Sequence, residues 1–153
     1  MTFAPGMVVF GPGEGQRVPF MGNLHFNKAV AADTNGAWAL VEQHMTGANP
    51  PLHQHDREDE AWYVLQGRVR VYVGDTEIDG EPGSFVLAPR GVPHTFARLP
   101  GDDLKLLLFI APAGIERMFD EVASLSEAEQ QDPAVLGEMA ARYGVQVLGP
   151  PPQ

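Results

Sequence analysis

The chain of 153 residues contains no cysteine. Thiolate zinc sites, iron–sulfur clusters, disulfide frameworks and thiol nucleophiles are thereby excluded, and any metal must be held by imidazole, carboxylate or water. Basic residues are scarce: ten Lys and Arg face twenty Asp and Glu, for a formal charge of −10. A surface of that sign repels phosphate backbones, so nucleic acid is not an expected partner. No apolar run approaches the roughly twenty residues that cross a bilayer, and no membrane association is expected. The opening MTFAPGMVVFGPGEG lacks a basic n-region and holds only a four-residue apolar run, unlike a signal peptide, so the expected address is cytoplasmic. The length suits a single domain over residues 1–153, with enough chain to bury a core without staples. What is plentiful is glycine (17) and proline (14), a turn-rich composition that favours many short strands over a helical bundle.

From about residue 38 to 111, short apolar runs are cut by Gly, Pro and Asp. Trp38–Met45 alternates loosely, and Ala61–Leu65 is a run of strand formers closed by Gly67. Arg68–Val73 alternates cleanly, with Val69, Val71 and Val73 on one face, before a turn at Gly74-Asp75. Phe85–Ala88, His94–Arg98 and Leu104–Ile110 are further strand candidates, and Met7–Phe10 and Phe26–Ala31 can add more. Strands this short, about ten residues apart, predict an all-β sandwich or barrel. After Pro112 the period changes. Ile115, Met118, Phe119 and Val122 fall at helical spacing. Asp132-Pro133 reads as an N-cap and first-turn proline ahead of the stripe Val135, Leu136, Met139, Ala140 and Tyr143, stopped by Gly144. Helices are expected over 113–124 and 133–143, a C-terminal extension (about 113–144) that packs on the barrel.

Three of the five histidines fall where position matters. On a strand, His53 and His55 point to the same face, about 7 Å apart. The polar residues Asp56-Arg57-Glu58-Asp59 read as a hairpin loop, after which Glu60 opens the returning strand opposite His55. Pro89-Arg90-Gly91 makes a tight turn feeding a strand with His94 near its start. Three imidazoles and one carboxylate suit a borderline divalent ion, one of Mn, Fe, Co, Ni, Cu or Zn. Phe96 lies two residues beyond His94, and Trp62 and Val64 alternate with Glu60. Each is a candidate for the pocket lining and equally for barrel filler. His44 shares a strand face with Glu42 and is either a donor behind a ligand or, more simply, exposed. His25 has no assigned role.

Residues 47–67, GANPPLHQHDREDEAWYVLQG, carry Gly47, His53, His55, Glu60 and Gly67 at the spacing of the first cupin motif. Residues 83–94, GSFVLAPRGVPH, carry Gly83, Pro89, Gly91 and His94 at that of the second. The chain therefore resembles the cupin superfamily. The stretches KAVAADTNGAWALVEQHMTGANPPLHQH, LFIAPAGIERMFDEV and ARYGVQVLGPP are similar to small single-domain cupins of the quercetinase-like kind. Where the second motif usually ends in Asn, Arg98 stands.

The resemblance implies a jelly-roll barrel (a double-stranded β-helix) with short C-terminal helices, and one divalent metal per chain held at the barrel mouth by His53, His55, Glu60 and His94. It also implies a homodimer. In flavonol dioxygenases of this type, the substrate hydroxyl sits on or near the metal, the ligand carboxylate takes its proton, and dioxygen attacks the enolate, opening the ring with loss of carbon monoxide. The expected partner is thus a small, aromatic substrate, with Glu60 as both ligand and base in a mostly apolar pocket. Fold does not separate this from two alternatives. One is a non-redox cyclase or isomerase of a polyketide-type substrate, using the same ion as Lewis acid; the other is a small-molecule-binding cupin without turnover.

Overall fold

The computed structural model describes residues 4–152. Among these residues, eleven strands form two antiparallel sheets that face each other across one core. The first sheet runs β1 (Gln16–Phe20), β2 (Asn23–Ala29), β3 (Ala39–Met45), β10 (Leu104–Ala111), β5 (Asp59–Gln66) and β8 (Phe85–Ala88). The second runs β11 (Val145–Gly149), β4 (Leu52–His55), β9 (His94–Arg98), β6 (Val69–Val73) and β7 (Thr76–Gly80). The four helices are α1 (Ala31–Thr34), α2 (Glu116–Ala123), α3 (Glu127–Gln130) and α4 (Pro133–Arg142). None is long and apolar enough to cross a membrane.

Alternation explains the sheets. On β10, between β3 and β5, Leu104, Leu106, Leu108 and Ile110 are all buried. Val69 and Val71 on β6 meet them from the opposite sheet, as the period of two requires. The helices follow the predicted change of period: Ile115, Phe119, Val122, Met139 and Ala140 turn inward. Asp132 caps α4 through Ala134 N at 2.9 Å, with Pro133 in the first turn.

Several expectations need correction. Strands β1, β2 and β11, from outside the 38–111 stretch, join its sheets. Met7–Phe10 is exposed irregular chain rather than a strand: no neighbouring edge receives it, and Lys28 ties the following loop instead, bonding the carbonyls of Gly11 and Glu14. The Phe26–Ala31 strand starts and ends earlier, at Asn23 and Ala29, because Ala31 already begins α1. Residues 56–59 are not a hairpin loop. Both edges of β4 are occupied by β11 and β9, and both edges of β5 by β10 and β8, so His55 and Glu60 lie on facing sheets. Residues 56–58 form the corner between those sheets, and Asp59 already belongs to β5.

The loop entering β4 is pinned from several directions. Asn23 Oδ1 accepts from Gly47 N at 2.7 Å, and Thr95 donates to Pro50 O at 2.7 Å. Arg98, standing where the motif usually has Asn, donates from its guanidinium to Gly47 O at 2.9 Å and from its backbone N–H to Asn49 Oδ1 at 3.2 Å. Gly47 itself lies against backbone: a β-carbon there would come within 2.6 Å of Met21 O. Only glycine allows that approach. Gly47→Ala should therefore displace the loop and cost roughly 1–3 kcal/mol, the scale of overpacking. A urea midpoint unchanged from wild type would show that the loop yields freely.

Candidate metal centre

His53 and His55 project from β4, His94 from the adjacent β9, and Glu60 from β5 on the facing sheet. His53 and His94 are register partners, which sets two imidazoles side by side with ring centroids 4.5 Å apart. The turn before β9 is clamped to the start of β5 by Arg90, whose guanidinium pairs with Asp59 at 3.2 and 3.3 Å, and Gly91 N bonds His55 O at 2.7 Å. Two sheets thus deliver four side chains to one point. One ligand atom from each lies within 4.8 Å of the others.

The orientation of the rings matters more than their proximity. Each Nδ1 faces away from the centre and is engaged: His53 with Pro51 O at 2.7 Å, His94 with Val92 O at 2.9 Å and His55 with Glu58 Oε2 at 3.2 Å. Carbonyl and carboxylate oxygens accept only, so each Nδ1 must carry the proton. In the neutral rings every Nε2 then turns a lone pair toward Glu60 Oε2, at 2.8 Å from His94, 3.2 Å from His55 and 3.7 Å from His53. His55 Nε2 is buried and, despite that short distance, has no hydrogen-bond partner. Acceptors converging on an acceptor require a positive centre between them. The donor set of three imidazoles and a carboxylate fits a divalent cation.

Protons supply that charge in the metal-free protein. Burial alone would lower the His55 pKa, but the Glu60 carboxylate and then Glu58 outweigh it and raise it to about 10. Burial would likewise raise the Glu60 carboxyl; the His55 charge and contacts from the three imidazoles instead hold it well below the usual carboxylate range. A raised imidazole stabilises the fold fully below its unfolded value near 6.5, and that contribution is lost as pH rises toward 10. The depressed carboxyl acts in the opposite sense, stabilising above about 4.5 and failing as pH falls further.

A cavity of about 120 Å³ adjoins the cluster, lined by His53, His55 and Glu60 and mostly by apolar groups, among them Trp62, Phe96 and Phe119. It shares Met21, Ala48, Pro51, Leu136 and Val147 with an outer cleft of about 740 Å³ between α3, α4 and β11. The helical extension therefore roofs the barrel mouth, as its apolar stripes suggested. Trp62 and Phe96 line the cavity, with their rings 5.8 Å apart. Val64 does not. It packs deeper, beside Gly80, as barrel filler. His44 neither reaches the cluster nor stands free: its Nε2 is 2.6 Å from Glu42 Oε2, and alternation on β3 turns both away from the inward Gln43.

Three residues that the motifs do not mark also belong here. Glu58 is buried against His55, although its acidic stretch reads as solvated loop, and only the corner between sheets turns it inward. His25 and Gln43 are register partners on β2 and β3 and line the cavity. The even spacing of Asn23, His25 and Asn27, all buried, was the available signal.

Comparison with known proteins agrees with this geometry. A family model, the cupin domain, matches residues 40–111. Over that stretch the chain carries a cupin domain. Over 108 residues, 70% of this chain, it is 28% identical to quercetin 2,3-dioxygenase of Bacillus subtilis (strain 168), but it spans only 32% of that protein's length. Among solved structures, it resembles KdgF from Halomonas sp. with 25% identity and a TM-score of 0.55, covering 63% of this chain and 85% of the other. It also resembles Streptomyces Pac13, a nucleoside dehydratase solved with uridine, at 16% identity and a TM-score of 0.55 over 76% of this chain and 88% of the other. That last likeness is one of fold.

Glu58 generates a test of the metal-free state. Titration of side-chain 15N-labelled protein after chelation should find His55 still protonated above pH 8. Glu58→Gln removes one of its two anionic partners and should lower the midpoint by a unit or more. An unchanged midpoint would mean that Glu60 alone holds the proton.

Proposed function

We propose that this cupin is a metal-dependent dioxygenase of an enolisable or phenolic small molecule, with dioxygen as co-substrate. The observation that carries it is the set of three Nδ1-anchored imidazoles aimed with Glu60 into one end of a mostly apolar cavity. His53, His55, Glu60 and His94 would hold one divalent ion, which would supply Lewis-acid stabilisation for a substrate oxyanion. The partial match to quercetin 2,3-dioxygenase supports the oxidative reading.

The roles of this chain's own groups follow from their placement. Trp62, Phe96 and Phe119 present aromatic surface to a flat ligand and exclude water. Burial of Glu60 and His94 keeps the proton-transfer region dry. Glu60 accepts the proton of the substrate hydroxyl at its carboxylate. Its depressed pKa makes it a weak base while it is fully paired, so it must loosen from its partners to act. The cavity volume bears on substrate size. A dry cavity of about 150 Å³ accepts a benzene, so about 120 Å³ holds roughly one six-membered ring. A larger flavonoid would place its remaining rings in the outer cleft.

The test is oxygen consumption with a panel of flavonols and simpler enols, normalised to bound metal. Glu60→Gln should weaken metal retention moderately and lower normalised turnover by about 10²-fold or more, the scale of general-base catalysis. Equal normalised rates would leave Glu60 a ligand only. Turnover without oxygen uptake would instead assign the site to Lewis-acid chemistry of the cyclase or isomerase kind.

The same reading includes a homodimer. On the outer face of the six-stranded sheet, Phe85 (64% exposed), Leu87, Tyr63, Leu65 and Phe109 form a continuous apolar surface, with Trp38 stacked on Phe109 at 5.8 Å. The free edge of β8 adjoins it among the described residues. A patch of this kind on an otherwise acidic protein marks an association surface. A second copy fits it best, because an apolar sheet face is self-complementary under two-fold symmetry. Light scattering should give twice the 16.6 kDa chain mass, and Phe85→Glu with Leu87→Lys should halve it. A monomeric wild type would remove the dimer from the reading.

A further inference from the structure

Within the cavity, one polar pair stands apart from the metal-ligand cluster. His25 is 1% exposed and Gln43 5%. Their side chains meet at 3.2 Å, Gln43 Nε2 to His25 Nε2, and there the bonding stops: His25 Nδ1 and Gln43 Oε1 are buried with no partner. The ring is locked in place, stacked on Phe20 at 5.1 Å and met edge-on by Phe119 at 4.8 Å. Unsatisfied buried polar atoms are rare, because each loses its hydration without a replacement bond. Two of them on facing register partners lining the same cavity as the metal-ligand cluster call for an explanation that the fold does not provide.

The inventory of the pair is definite. With the Gln43 amide donating one N–H to His25 Nε2, the imidazole proton sits on Nδ1, which leaves that N–H and the amide's second N–H as donors and one carbonyl acceptor. Turning the amide over exchanges the roles but leaves the same count, two donors and one acceptor. Both groups are neutral: burial pushes the His25 pKa down to about 4. No Lys or Arg lines the cavity among the described residues.

We propose that His25 and Gln43 form the second polar anchor of the ligand site, which selects a ring carrying two separated uncharged oxygen substituents, one directed to the His53–His55–Glu60–His94 cluster and one to this pair. The inference rests on the reading of that cluster as the metal end of the cavity. Both anchors line the same cavity, whose volume is about that of one ring. A hydroxyl both donates and accepts, so it can use whichever free atom it reaches. A carboxylate or phosphate finds no cation there and a carbonyl lone pair facing it, so charged substituents are rejected.

Calorimetry with phenol, resorcinol and 3-hydroxybenzoate tests this, on protein as purified and after chelation. Resorcinol should bind about tenfold tighter than phenol, and 3-hydroxybenzoate no tighter than phenol. His25→Phe and Gln43→Leu should each abolish the resorcinol advantage while leaving phenol within about twofold. Because the pair is unsatisfied in the free protein, the double substitution should leave Tm unchanged or raise it. Resorcinol binding no tighter than phenol, or an advantage that survives both substitutions, would overturn the proposal. So would a large fall in Tm with the ligand preference intact, which would make the pair structural. The chelated sample separates the two readings. Phenol affinity that ignores chelation counts against the metal end alone, whereas the resorcinol-to-phenol ratio reports the His25–Gln43 end with or without an ion.

Discussion

Three imidazole lone pairs aimed at one carboxylate oxygen cannot be buried together unless something positive lies among them. That constraint organises the structure around Glu60. Burial raises the cost of leaving the charge unbalanced, and the same burial strengthens every attraction that balances it. The Nδ1 anchors at Pro51, Val92 and Glu58 determine which nitrogen faces inward. They turn a cluster of histidines, which could otherwise bond to one another or to water, into a set of convergent donors.

Much of the remaining architecture holds those anchors in place. Two are backbone carbonyls immediately before β4 and β9, so the loops entering these strands must be as well defined as the strands themselves. Gly47 lies against the Met21–Gly22 backbone, Arg98 bonds the 47–49 loop, and Arg90 clasps Asp59 across the two sheets. Arg98, where the motif usually has Asn, ties the 47–49 loop to β9. The core of β10 and β6 is the rigid partner against which these loops are set.

The cavity shows a second economy. Apolar walls exclude water and favour a flat ligand, yet the His25–Gln43 pair interrupts them with bonding capacity that the protein does not use itself. A neutral pair at one end and a charge-demanding cluster at the other give the space a polarity along its length. The helices that roof it are stabilised by packing Ile115, Phe119 and Ala140 onto the barrel.

The strands with clean alternation, the helices after Pro112 and the four residues of the cluster can all be read along the chain. These depend on short-range periodicity and motif spacing, which a linear reading contains. Its misreading of residues 56–59 as a hairpin shows the limit. Whether β4 pairs with β5 or crosses to the other sheet depends on strands β8, β9, β10 and β11, all far away in sequence. That crossing decided that Glu58 is a buried partner of His55, that β11 closes the second sheet, and that Val64 is filler while Trp62 faces the cavity. The β2–β3 register set His25 opposite Gln43. Burial and partner choice are properties of several distant segments at once, so only the tertiary structure could decide them.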